Sequence, residues 1–167
     1  MTPSELSREL REGQSPDLTN RRWVFGLSMV GVAIGQIVSL YQLGIIKKLP
    51  DPPIGIFDSN KVNASDYAYK RGYTPDAVFM LFTYATTAWL AAMGGKDRSK
   101  DMPIIPLLMG TKAIFDVLTN LELAREEWND NKKFCAYCQT ASIVSLVTIF
   151  FAMPEALRAA KTLLGKK

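Results

Sequence analysis

Four stretches of the chain are long, apolar and nearly free of charge, and the polar segments between them set their order. Trp23 to Ile46 contains no charged residue and is long enough, as a helix, to cross a hydrocarbon core of about 30 Å. Ala77 to Gly94 is likewise uncharged, Pro103 to Leu123 carries Lys112 and Asp116 within it, and Ala141 to Met153 is the fourth. In the first stretch the small residues Gly26, Gly31, Ala33 and Gly35 suit close helix contacts. Gln36, Ser39 and Gln42 fall on one stripe of it, either for hydrogen bonds between helices or for the polar lining of a pocket. The pattern predicts an all-α membrane protein, a four-transmembrane-helix bundle with a structured loop between helices 1 and 2.

The polar segments divide the chain further. Residues 1–20 read as a polar N-terminal arm, in which Ser4 to Arg11 forms a short helix with Leu6 and Leu10 on one side. No cleavable leader is expected, because this arm precedes the first apolar run. The membrane domain covers 21–153. Its first loop, Lys47 to Asp76, opens with Pro50, Pro52 and Pro53 and closes with Thr74-Pro75-Asp76, residues suited to the start of a helix. A loop of that length is expected to have its own structure or a function. Asn63-Ala64-Ser65 fits the glycosylation pattern, with little occasion for use in a chain lacking a secretory leader. Lys96 to Asp101 reads as a hydrophilic turn and Glu122 to Lys133, with Trp128, as a second polar loop. Residues 154–167 read as a basic amphipathic tail beginning at Pro154 and carrying Arg158, Lys161, Lys166 and Lys167.

Composition sharpens this picture in three places. The mean hydropathy of +0.04 averages polar tails with apolar blocks and so conceals them. The net charge of +4 sits mainly beside those blocks, which points to a lipid bilayer and not to nucleic acid. Four spans put both termini on one side. Lys and Arg are more numerous there, so the termini are expected to be cytoplasmic. The absence of histidine excludes imidazole acid–base chemistry, and with only two cysteines no resident transition-metal or haem site is expected. Lys112 and Asp116, four residues apart on one helical face, are either a mutually neutralising pair, a grip on a partner subunit, or a functional group in the membrane.

The candidate chemistry lies in Cys135-Ala136-Tyr137-Cys138, where the second polar loop turns into the fourth apolar stretch. Two thiols three residues apart at a helix start come within disulfide reach, and the helix N-terminus favours thiolate at the first. Lys132 and Lys133 act in the same direction. The topology places the pair on the outer, periplasmic or lumenal side, where disulfides are permitted. The plain alternative is two small hydrophobic residues one turn apart.

With these features in place the chain resembles the vitamin K epoxide reductase family over roughly Trp23 to Met153. The resemblance rests on Cys135 through Ser142, on Phe115 through Leu123, and on Lys61 through Ala68 with Gly72 and Pro75. It implies a four-helix membrane bundle whose Cys135 and Cys138 are catalytic beside a bound quinone of the menaquinone, ubiquinone or phylloquinone type. By resemblance Cys138 faces the quinone, Cys135 exchanges with a thiol partner, and Ser65 and Ser142 stand near the quinone pocket. Ser142 occupies the position where some members carry tyrosine. The family's loop cysteine pair, by spacing, falls near Asp51 and at Ser59, and this chain has no cysteine at either. The resemblance therefore implies a divergent member without the internal relay. Such a protein is a membrane thiol/disulfide–quinone oxidoreductase served by an external thioredoxin-like thiol protein. The alternative is a non-catalytic accessory subunit packed in a larger membrane complex.

Overall fold

The computed structural model describes residues 2–165; Met1 and, from the expected basic tail, Lys166 and Lys167 lie outside the described residues. Among the described residues seven α-helices follow one another: α1 (Pro3–Glu12), α2 (Pro16–Gln42), α3 (Ser59–Asn63), α4 (Asp76–Ala92), α5 (Arg98–Asp101), α6 (Ile104–Asn131) and α7 (Ala136–Leu163). A 3₁₀ turn covers Asp66–Ala68, and the described residues contain no strand. Three helices, α2, α6 and α7, are long and apolar enough to cross a membrane, while α4 has 17 residues. The chain is an integral membrane protein by these helices.

Helix boundaries follow local chemistry. Thr2 and Glu5 form a reciprocal capping box on α1, with Pro3 in its first turn. Ser15 caps α2 by accepting from the Leu18 N–H, so α2 begins before Arg21-Arg22 and not after them. α6 runs past Leu123 to Asn131, and most of the expected second polar loop is therefore helix. It stops where Lys132 adopts the left-handed conformation, φ 54°. α7 continues through Pro154 to Leu163, so the expected tail is the end of the same helix. Its first turn is capped by Cys135.

The long helices alternate in direction. α2 packs along both α4 and α7, and α6 packs along α7, whereas the contact of α4 with α6 is looser. The core runs from Val24, Leu90, Met109 and Ala152 at the end near the termini to Ile34, Tyr84, Ala141 and Val144 at the other. Large apolar side chains such as Phe82, Phe115 and Phe150 point outward, as they do where lipid covers the surface. Gly31 is required by contact: a Cβ there would lie 2.4 Å from the Tyr84 ring. Gly31→Val is expected to destabilise the protein by about 1–3 kcal/mol through overpacking, read as a lower melting temperature in detergent.

The end near the termini is held by two buried arginines. Arg21 donates to the carbonyls of Ala91, Met93, Gly94 and Gly95, the orphan acceptors at the end of α4. Arg98 sits in the expected hydrophilic turn yet is 1% exposed. It donates to the carbonyls of Leu90 and Met93 and forms a bidentate pair with Glu155 of α7, both bonds 2.8 Å.

Candidate functional site

At the opposite end, the segment from Leu49 to Ala68 closes over the start of α7. Val62, Tyr67 and Ala68 pack on Cys135, which is fully buried, while Cys138 is partly exposed. The segment is fastened at several points. Asn60 exchanges two hydrogen bonds with the Leu49 backbone, Phe57 and Phe134 form an isolated bridge, and Lys133 donates to the Gly55 carbonyl. Trp128 stacks on Phe134 beneath it, with ring centroids 5.1 Å apart.

Both cysteines are free thiols, and their sulfurs lie 2.7 Å apart. Cys135 Sγ also accepts from the Cys138 N–H and from Asn63 Nδ2, each at 3.2 Å. Burial pushes the Cys135 thiol up. Hydrogen bonds from the Cys138 thiol, the Asn63 amide and the Cys138 N–H outweigh it and bring the thiol down to about 7. Of the two thiols, Cys135 is thus the one whose ionised form its surroundings favour. Asn63→Leu removes one donor to that sulfur, a charge-assisted bond worth roughly 1.5 kcal/mol, and is expected to raise the titration midpoint by about one pH unit. Ultraviolet thiolate absorbance against pH, in a Cys138→Ser background compared with and without the Asn63 change, reads this directly.

Asn63 is itself the node of a buried polar chain. Its Oδ1 accepts from Gln42 Nε2 at 3.3 Å, and Gln42 also donates to Asp76 at 2.7 Å and accepts from the Ala77 N–H. At 1% exposure the Asn63 amide is turned inward, bonded to Gln42 and Cys135, and the fold leaves no room for a glycan on it. Of the polar stripe on α2, Gln42 makes hydrogen bonds between helices and Gln36 is exposed.

Cys138 opens onto a cavity of about 320 Å³ between α4, α6 and α7, where the looser contact of α4 with α6 leaves a cleft. Met80, Tyr84, Leu123 and Ala124 make its walls largely apolar, and Phe79 and Phe115 stand at its exposed outer edge. Ser142 lines the cavity and donates to the Cys138 carbonyl at 2.9 Å. Ser65 does not line it; its hydroxyl is bonded to the Val62 carbonyl. Asp116 lines it too, paired with Lys112 at 2.6 Å, and Lys112 is tied in turn to Thr87 of α4 at 2.8 Å. The pair is thus neutralised internally and anchors α6 to α4.

Three cavity residues were not among the site residues expected from the sequence. Glu127 is 1% exposed and accepts from the Cys135 N–H and from Gln139 Nε2. Tyr67 donates to the Leu123 carbonyl, and Arg71 pairs with Glu126 while its Nη1 has no partner among the described residues. The helical period of α6, counted back from the cysteines, places Glu127 toward α7, but only a helix extended to Asn131 makes that visible.

Asp51 and Ser59, the two positions expected to lack loop cysteines, are joined to each other. Ser59 Oγ donates to Asp51 Oδ1 at 2.5 Å, its N–H donates to Oδ2 at 2.7 Å, and its Oγ accepts from the Ala136 N–H at 2.9 Å.

A model of the vitamin K epoxide reductase family matches residues 22–153. No curated protein and no solved structure matches the chain.

Proposed function

The chain belongs to the vitamin K epoxide reductase family, and from that membership we propose a membrane thiol/disulfide–quinone oxidoreductase that works through Cys135 and Cys138. One observation carries the reading: the Cys138 thiol forms part of the wall of an apolar cavity while its sulfur touches that of Cys135. The cavity fits a quinone ring in size and polarity, since ligand pockets run from roughly 300 Å³ and bring few polar groups to bear. The unpartnered Arg71 Nη1 at its wall is a donor available to a ligand oxygen. The quinone supplies a two-electron, two-proton acceptor and is a substrate of the reaction.

The residues of the chain do the following. Cys135 stores the thiolate, Asn63 stabilises it, and Cys138 presents its sulfur to the cavity. Formation of the Cys135–Cys138 bond releases two electrons to the acceptor. Ser142 fixes the first turn of α7 beneath Cys138. In this reading α4 is a fourth, shorter span, the termini are cytoplasmic and the cysteine pair faces the outer side. A thioredoxin-like thiol partner that regenerates the dithiol reaches Cys135 only after the covering segment moves, because Cys135 is fully buried.

A second reading, the non-catalytic accessory subunit, is favoured by the same closure and by the Asp51–Ser59 link where a relay pair is expected. The test is a single turnover. Fully reduced protein in lipid nanodiscs is mixed with a short-chain ubiquinone or menaquinone analogue, and quinol and free thiols are followed together. One quinol and one disulfide per chain are expected. Unchanged thiols with no quinol, and recovery of the native protein in a larger membrane assembly, would replace the enzyme by the accessory subunit.

A further inference from the structure

Glu127 stands out among the buried groups that this mechanism has not used. A carboxyl group 1% exposed is costly to bury as an unpaired charge, and no lysine or arginine among the described residues lies within salt-bridge distance of it. Its two oxygens are held by different parts of the cysteine motif: Oε1 by the Cys135 N–H and Oε2 by Gln139 Nε2 at 3.0 Å. Its side chain also lines the cavity onto which Cys138 opens. One carboxyl group therefore bridges the backbone of the thiolate cysteine and the space where a ligand meets the other sulfur.

We propose that Glu127 is the acid that delivers a proton to the ligand oxygen during thiol oxidation, and that it positions Cys135 through its N–H while doing so. The step rests on the quinone reading above. It begins with Cys135 as thiolate, Cys138 as thiol, Glu127 protonated and a quinone in the cavity. The two sulfurs form a disulfide bond and give up two electrons. The Cys138 proton and the Glu127 proton go to the two ligand oxygens, yielding a quinol. The negative charge carried at first by Cys135 ends on Glu127, so charge and atoms balance. Reduction of the disulfide returns the charge to Cys135, and Glu127 takes its next proton from water at the outer surface.

Without this carboxyl group the sulfurs still meet, but the second proton has no donor in contact with the cavity beside the motif. The other titratable and charged groups on the cavity are Tyr67, Arg71, Asp76, Tyr84 and Asp116, with Cys138 and the adjoining Cys135 on the α7 side. Asp76 is engaged by Gln42, Arg71 by Glu126, Tyr67 by the Leu123 carbonyl, Tyr84 by the Ala141 carbonyl and Asp116 by Lys112.

The test compares wild type with Glu127→Gln and Glu127→Asp in the nanodisc single turnover with a short-chain quinone across pH. Glutamine keeps the shape and removes the acid, and the rate is expected to fall about 10²-fold or more. Its melting temperature and its Cys135 thiolate titration stay close to wild type, which a purely structural role would not allow. Aspartate is expected to recover part of the rate. In wild type the rate falls at alkaline pH, where Glu127 loses its proton, even as thiolate content rises. That divergence is read on wild type alone, should Glu127→Gln not fold. A wild-type rate that only rises with thiolate content, or a glutamine variant at wild-type rate, overturns the role of Glu127 and leaves the redox reading standing. No cysteine-dependent quinol from wild type overturns both.

Discussion

Cys138→Ala is expected to abolish quinol formation, lowering the single-turnover rate by roughly 10³-fold or more, as when a covalent nucleophile is removed. The size follows from which sulfur reaches the cavity. Cys138 lies in the first turn of α7 and lines the cleft, whereas Cys135 is fully buried beneath Val62, Tyr67 and Ala68 and cannot replace it. Removing Cys138 also takes from Cys135 a thiol that holds its thiolate, so the residual sulfur becomes harder to ionise. Cys138→Ser separates the effects: it restores a donor of similar size but no partner for a disulfide, and it too should be inactive. Stopped-flow quinol absorbance, with a thermal melt as the folding control, checks both variants. Activity surviving in either would place the electron exit elsewhere.

Arg98→Ala is expected to cost about 3–5 kcal/mol, the largest loss of stability from a single change at the end near the termini. The alanine leaves the Glu155 carboxylate buried and unpaired, with 0% of that residue exposed, and it strips a donor from the Leu90 and Met93 carbonyls. Glu155→Ala strands the guanidinium instead, though its two carbonyl acceptors remain. The double variant Arg98→Met with Glu155→Leu removes both charges and recovers part of the loss. It does not recover all of it, because the Leu90 carbonyl then loses its bond to the guanidinium while Met93 keeps only Arg21. Melting temperatures in detergent of wild type, the two alanine variants and the double alanine variant form the cycle, and additivity of the two single changes would contradict direct pairing.

These two regions were legible in the sequence to different degrees, for a physical reason. The apolar stretches, the cysteine pair and the family resemblance follow from local pattern, and the family match covers that same region. Arg98 was unreadable because Lys96 to Asp101 has the composition of a solvated turn. Its burial is decided by α4 ending at Ala92 with carbonyls that need donors, a requirement set by a neighbouring helix. Glu127 was hidden likewise, since charge along Glu122 to Lys133 resembles a loop, and only the continuation of α6 turns one carboxyl group inward. Asn63 carried a misleading signal: the acceptor pattern marks a surface loop, yet its amide is spent on a sulfur 72 residues away in sequence. Gly31 and Gly35 were read correctly as close-contact positions, whereas Gly26 of the same stretch has nothing within 4 Å of where a Cβ would lie.

The shortness of α4 has a consequence for the lipid around the protein. Its 17 residues cover about 26 Å at 1.5 Å per residue, less than a typical hydrocarbon core, while α2 with 27 residues has length to spare. On the proposed reading of α4 as a fourth, shorter span, lipid packed against it thins to match, and a thinned patch is compressed and more easily disordered than the surrounding leaflet. That patch would border the cleft between α4 and α6, a soft spot in the bilayer where the cavity meets the lipid.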